Sequence, residues 1–417
     1  MKKTMLPMLA VFLLVLPAAA QITWSQCPVA GLDTSVRVIG ISGDGLIAAG
    51  FQNQLALSDD NGGTWTVCSA WPGVTPSCIA FNADDDMFIG TYADGMYRSE
   101  DDGLSFTQVN SGLTSWNVRC MVILDNGDIL LGTSGGIFRS ADNGDNWASF
   151  GTGLPQDVVT ALSKGEDNRV YAGFLLNRVY RSNDLGASWV PASINLPDTT
   201  VVTALFENPG WEVYAGVYPQ GLFVSANFGN SWMTYNDGLP FSKGFASSQD
   251  YYIRDISLWS MAIVLMIYHY GVLTNDYFKA RSPWQLQNTG FPPDPTISCL
   301  AVGPQNQLFA GTETQGLYKY IPAAGFPSRE AEPLYLSSSP NPAGQNTTFC
   351  FRIPHGGSIS LCLYDATGRL ISTITDDRYN AGEHRIDWWC GRLESGLYTC
   401  RLKTSTACCF SRLVIVR

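Results

Sequence analysis

The sequence predicts an all-β protein, a seven-bladed β-propeller closed by its own N-terminal strand and followed by a small β-sandwich. Three observations carry that expectation. An eight-residue motif recurs, ending in Trp65, Phe106, Trp147, Trp189 and Trp232 at spacings of 41, 41, 42 and 43 residues. Each repeat has room for four short apolar strands separated by glycine-bearing turns. The composition is that of a folded, turn-rich chain: of 417 residues 45% are hydrophobic and only 15% charged, with 41 Gly and 12 Trp. That length exceeds what one hydrophobic core usually serves, so at least two units are expected.

The first element is not part of the fold. In "MKKTMLPMLAVFLLVLPAAAQ" two lysines precede an apolar run, and Ala18-Ala19-Ala20 offers a small-residue cleavage site before Gln21. Residues 1–20 read as a secretory signal peptide. The alternative, an uncleaved anchor, is disfavoured because the run is short of the roughly 20 residues a span needs. The other apolar run, "LWSMAIVLMIYHY" from Leu258, is also too short and reads as buried strand. No membrane span is expected.

The repeats occupy residues 21–322. Each begins with an apolar opening strand, as at Val158–Leu162 and Val201–Phe206. A second strand ends in "AG" or "GT" (Val170–Gly173, Ile129–Thr133), and a third reads "IFRS" or "LFVS". The eight-residue box follows, and a fourth strand starts at its aromatic residue. Opening strands fall near Val36, Ser77, Val118, Val158, Val201, Ile253 and Ile297, which makes seven units. The sixth is worn: "TNDYF" replaces the box, and Trp284 comes 52 residues after Trp232. The seventh lacks a fourth strand after "GLYKYIP". "ITWSQCPVAGL" at the mature N-terminus has the missing form, with Trp24 lying 41 residues before Trp65. Joining the two closes the ring and removes unpaired edges.

The boxes are Ser58-x-Asp60-x-Gly62 to Trp65, Ser99-x-Asp101-x-Gly103 to Phe106, Ser140-x-Asp142-x-Gly144 to Trp147, Ser182-x-Asp184-x-Gly186 to Trp189, and Ser225-x-Asn227-x-Gly229 to Trp232. Between third and fourth strands each must be a hairpin turn. The Asp accepts backbone N–H bonds within it, the Gly supplies the unusual φ, and the aromatic tucks between sheets. These residues resemble the Asp-box, or BNR repeat, found in sialidases and in many propellers without enzymatic activity. A calcium loop would need several oxygen ligands and a distal glutamate, whereas the box offers one dependable carboxylate and Asn227 replaces it in the fifth copy. A catalytic role is disfavoured because a repeated turn does not converge on one place. No metal or cofactor is expected.

Residues 323–333, within "IPAAGFPSREAEP", read as a linker. Residues 334–417 follow as short alternating strands. Pro340-Asn341-Pro342, Tyr364-Asp365-x-x-Gly368-Arg369, Ala381-Gly382-Glu383-His384, Gly396-Leu397-Tyr398 and the final apolar strand resemble the type A C-terminal sorting domain of the type IX (Por) secretion system and the Ig-like fold of hook-capping proteins. The resemblance implies periplasmic passage, outer-membrane translocation by that machinery, and surface attachment or release. Six of eleven cysteines lie here, a departure from the pattern. With no CxxC pair and three His in the chain, zinc is disfavoured. Cys350 and Cys362 could bridge across a hairpin turning at His355-Gly356-Gly357. "FRIP" at Phe351 copies a sialidase arginine motif, but Arg352 belongs to a strand whose Phe349, Phe351 and Ile353 share a face.

Charge narrows the function. Residues 21–322 carry 28 acidic and 13 basic side chains, which argues against nucleic acid and anionic membrane as partners. A sialidase-like site would need three converging arginines, a Tyr/Glu pair and an acid. Arg98, Arg139 and Arg181 each precede a box serine and read as an edge feature. Arg37 and Arg119, on opening strands, could approach the central channel, with no third partner evident. Any other glycosidase would need two facing carboxylates, and Asp94, Asp157, Asp198 and Asp237 are the loop candidates. Xyloglucanase-type propellers and the single-ring propellers of photosystem assembly are generic resemblances. The candidate binding residues are Trp71, Tyr92, Asp94, Trp116, Arg119, Tyr218, Tyr251 and Tyr252, with the long segment Met233–Tyr252 beside them. The reading is a surface module binding glycan or protein, with a glycoside hydrolase as the alternative.

Overall fold

In a computed structural model the described residues are 23–321 and 334–417, apart from 30, 166, 177–178, 198–200, 209–211, 240–251, 260–261, 277–282, 305, 342, 354–356, 366–368, 381 and 405–407. The expected signal peptide and the whole of the expected linker lie outside them, as do Tyr251, Asp198 and most of the long segment before Tyr252. The described secondary structure is all β.

Seven four-stranded antiparallel sheets form among the described residues before position 322. Their innermost strands are Val36–Ile41 (sheet I), Pro76–Phe81 (II), Val118–Ile123 (III), Val159–Lys164 (IV), Val201–Glu207 (V), Ile253–Trp259 (VI) and Ile297–Val302 (VII). Each packs on the innermost strand of the next sheet, and that of sheet VII packs on that of sheet I. The second strands, such as Met87–Thr91 and Ile129–Thr133, are buried throughout, so they read as continuous apolar runs rather than alternating ones. Their glycines are steric: a Cβ on Gly90 would meet Cys78 Sγ at 2.6 Å and Val118 Cγ1 at 2.7 Å. In sheet VI the position facing the inner strand holds Met266 instead, opposite Asp255.

The fourth strand of sheet VII is Thr23–Gln26, with Trp24 opposite Tyr320 and Gln26 opposite Tyr318. Trp24 makes the same contact as two of its counterparts, Trp147 and Trp232. Its indole N–H donates to Gln287 O of the preceding sheet's edge at 2.7 Å, as Trp147 does to Val109 O and Trp232 to Ala192 O, both at 2.8 Å. Third-strand cations repeat the relation on the other side. Arg98 and Arg181 donate to the backbone of the next sheet's box turn, at Asn143 and Phe228, and Lys319 of sheet VII reaches Asn61 O in sheet I at 3.4 Å.

The box turns show why their residues recur. Ser58 Oγ accepts from Gly62 N at 2.9 Å and donates to Asp60 Oδ1 at 2.9 Å. Asp60 then accepts from Thr64 N and Thr64 Oγ1, both at 2.8 Å. Asp101, Asp142 and Asp184 accept alike from Ser105, Asn146 and Ser188. Asn227 accepts from Ser231 N but reverses the outer bond, donating Nδ2–H to Ser231 Oγ at 2.9 Å. Gly62 has φ +76°, and the residue before it, Asn61, is also left-handed at 57°. Phe228 and Leu185 take that second position in other copies, a cost the motif does not reveal.

After the linker come a three-stranded sheet (Tyr335–Ser339, Asn346–Ile353, Gly382–Trp389) and a four-stranded one (Leu370–Tyr379, Gly357–Tyr364, Gly396–Lys403, Cys408–Ile415). Phe349, Phe351 and Ile353 are buried in their shared core, so Arg352 sits on the strand's other face, as expected. The proposed hairpin is corrected. Asn346–Ile353 and Gly357–Tyr364 belong to different sheets, Cys350 lies opposite Arg385 and Cys362 opposite Arg401, and both thiols are free.

Candidate functional site

One structural device builds the site. Every innermost strand is bulged near its start, at Val36/Val38, Pro76/Cys78, Val118/Cys120, Val159/Ala161, Val202/Ala204, Ile253/Asp255 and Ile297/Cys299. A bulge leaves one residue out of the ladder and re-aims it. The seven residues so released are Arg37, Ser77, Arg119, Thr160, Thr203, Arg254 and Ser298, and all of them line one cavity of about 590 Å³ between the innermost strands. Thr160, Thr203 and Ser298 spend their hydroxyls on carbonyls of the next inner strand, at Val202, Ile253 and Val36. The three arginines are too long for that role. Arg37 and Arg119 are exposed, and Arg254 reaches Glu313 at 3.4 Å.

Aromatic rings surround these cations. The Arg254 guanidinium lies 4.4 Å from the Tyr268 ring centre and 5.7 Å from that of Tyr252. Tyr268 Oη donates to Glu313 Oε2 at 2.7 Å. Burial and the Glu313 carboxylate push the Tyr268 hydroxyl above its ordinary range, while Arg254 and Arg37 pull it back. Burial likewise raises Tyr252, against the charges of Arg254 and Arg119. Tyr218 packs on Tyr252 with ring centres 5.8 Å apart. The meander alternates direction strand by strand, so these groups, at the start of the first strand and the end of the second, face away from the boxes at the end of the third.

The expected site residues divide. Tyr92, Arg119 and Tyr252 line the cavity, and Tyr218 braces it. Trp71 lies off the cavity wall: it is 7% exposed, packs edge-on against Tyr97 and Phe106, and donates to Val74 O at 2.9 Å. Trp116 is 50% exposed but lies off the cavity wall. Asp94 is engaged locally, accepting from Tyr97 Oη. Asp157 accepts from Val158 N and Leu176 N, and Asp237 is an exposed loop acid. None of these three lines the cavity. Arg98 and Arg181 point to box turns, and Arg139 binds Asp128 at 2.6 Å.

Arg254, Tyr268, Glu313 and Asp255 escaped the sequence reading. A signal for Arg254 existed: Val36-Arg37, Val118-Arg119 and Ile253-Arg254 occupy the same place in their repeats. The wall below is thiol-rich. Cys78 is raised to about 11 and Cys299 to about 12 by burial, so both are neutral thiols. Among the described residues no group of three or more His, Cys, Asp or Glu could hold a metal ion, and no helix is long and apolar enough to cross a membrane.

With this geometry in hand, the chain can be set beside known proteins. No known family's sequence profile matches it. A xyloglucanase of Hypocrea jecorina (strain QM6a) is 26% identical over 225 residues, covering 42% of this chain and 27% of that enzyme, so the chain spans about a quarter of its length. Among solved structures it is similar to YCF48 bound to a D1 peptide, with TM-score 0.59 and 16% identity, over 74% of this chain and 97% of that one. PorZ, a bacterial surface component of the type IX secretion system of Porphyromonas gingivalis, gives TM-score 0.54 and 16% identity over 93% of this chain and 60% of that one. The extracellular domain of BT3049 from B. thetaiotaomicron gives 0.58 and 13% over 94% and 57%. At these identities the likeness establishes the fold alone: a β-propeller architecture shared with surface and extracellular proteins.

Proposed function

We propose that this chain is a secreted or cell-surface seven-bladed propeller that binds an anionic group of a glycan or protein at its arginine-lined mouth. The observation that carries this reading is the convergence of Arg37, Arg119 and Arg254 on one cavity in a body whose net charge is strongly negative. An acidic protein gains little from clustered cations unless something anionic sits among them, and arginine forks suit carboxylate and sulfate. Tyr92 and Tyr252 offer ring faces for a sugar or an apolar side chain beside the anion. Ring closure by residues 23–26 is supported by the Trp24 register and by the Lys319 contact. The division into a signal peptide (1–20), propeller (21–322), linker (323–333) and sorting domain (334–417) rests on the sequence. So does export by the type IX machinery, and likeness to PorZ is compatible with that setting.

The test is a binding screen of residues 21–417 against immobilised uronate, sialylated and sulfated glycans and carboxyl-terminal peptides. Each probe is paired with a neutral analogue. Binding that favours the anionic member and disappears in Arg37→Ala/Arg119→Ala/Arg254→Ala supports the reading. Equal capture of neutral analogues overturns it.

One observation favours the hydrolase alternative. Tyr268 and Glu313 form a hydroxyl–carboxylate pair beside Arg254, the arrangement a tyrosine nucleophile with a carboxylate base would need. Release of sugar from sialosides or xyloglucan, abolished by Tyr268→Phe, is the result that would favour it over binding.

A further inference from the structure

Asp255 breaks the pattern of the channel wall. It follows the bulge of its inner strand, where the other six sheets place Val38, Cys78, Cys120, Ala161, Ala204 and Cys299. Six uncharged residues and one carboxyl group occupy equivalent places, and the carboxyl lines the same cavity as the three arginines. The glycine found opposite in other sheets is replaced by Met266. A residue that breaks a local rule at a cavity wall is a candidate for function. We propose that Asp255 is a specificity-determining residue of the arginine mouth, opposing bound anions when ionised and ceasing to oppose them when protonated. This rests on the anion-binding reading above.

The groups facing Asp255 leave its protonation as the variable. On its own strand Ser257 Oγ donates at 3.4 Å, and the Ile256 amide also donates. From sheet VII it meets the Leu300 amide and the Cys299 thiol, which burial keeps neutral. Met266 opposite is uncharged, as are Thr203, Ala204 and Leu205 on the neighbouring inner strand. The charged groups around the cavity are Arg37, Arg119 and, next to Asp255 on the same strand, Arg254 with Glu313 upon it; Tyr92 and Tyr252 also line the wall. Burial outweighs the hydrogen bonds and lifts the Asp255 carboxyl to about 6. A rise in pH through that value therefore adds one negative charge to the wall of an anion site. An imidazole also lies near the mouth: His269 touches Tyr268 and Thr296.

The probe is sulfate, whose charge is constant from pH 5 to 7.5, titrated calorimetrically into residues 21–417 at fixed low ionic strength. Wild type is expected to bind about fivefold tighter at pH 5, the size a single unscreened charge across such a cavity gives a divalent anion. Asp255→Asn should bind at both pH values as wild type does at pH 5, while His269→Asn keeps most of the dependence. If Asn is not accommodated, Asp255→Ala serves, since Ala161 and Ala204 fill equivalent places. Full pH dependence in Asp255→Asn, or its loss in His269→Asn alone, overturns the role of Asp255 and leaves anion binding standing. Absence of sulfate binding in wild type at either pH removes both.

Discussion

The two faces of the ring use carboxylates in opposite ways. On the box face, Asp60, Asp101, Asp142 and Asp184 repeat one arrangement, each saturated by donors within its own turn. Those donors favour the charged form. Thr64 brings Asp60 and Asn146 brings Asp142 down to about 2, Ser105 lowers Asp101, and Ser188 lowers Asp184 although burial works against it. On the mouth face the single wall carboxyl is unrepeated, and burial raises it to about 6. Repetition marks groups that hold the fold. Departure from repetition, as at Asp255 and the three bulge arginines, sets apart the groups on which the proposed binding role rests.

The largest effects should come from the box side. Trp147→Ala removes a buried indole bonded to Val109 O and should cost about 3–5 kcal/mol in chemical denaturation. Glu207→Gln removes the fully buried carboxylate that Arg169 meets at 2.7 Å and leaves it only the longer pair with Asp167 at 3.6 Å, so a loss of about 2–4 kcal/mol is expected. At the mouth the ledger reverses. Arg119→Ala should change stability by less than about 0.5 kcal/mol yet weaken anion binding on the order of tenfold, read by calorimetry. Should Arg119→Ala destabilise as Trp147→Ala does, the contrast between the faces fails.

Acid and alkali sharpen the same contrast. The box carboxylates lie below their unfolded values, so the stability they confer is complete above about pH 4 and is lost as pH falls towards 2. Asp255 lies above its unfolded value, so its contribution is complete below about pH 4 and is lost as pH rises through 6. Melting temperature against pH should show both limbs, and Asp255→Asn should flatten the upper one only. The smallest effect is expected for Asp142→Asn. Asn227 already makes the same amide bond and reverses the outer one, so little change in melting temperature is expected at neutral pH, with a shallower acid limb.

How much could be read beforehand follows from the same distinction. Spacing and box chemistry exposed Trp24, Trp65 and Trp232 because repeats announce themselves. The second strands at Ile129 and Val170 were legible to within a residue for the same reason. The mouth was half legible. Arg37 and Arg119 stood at opening strands, but the bulge that turns them inward leaves no mark in the sequence, and Arg254 lay in the worn sixth repeat. The burial of Trp71 was not legible, because an aromatic in a loop looks the same whether it faces solvent or folds back under Tyr97. Cys350 and Cys362 misled because a short glycine turn can cross between sheets as readily as close a hairpin.

The pairing of Thr23 with Ile321 also imposes a timetable. Trp24 precedes its partners Tyr318 and Tyr320 in the chain by all the strands of the other six four-stranded sheets described before position 322. Until those partners are made the earliest strand waits with unbonded amides, and the last sheet cannot be completed by anything made nearby. That sheet is therefore finished by its earliest segment rather than its latest.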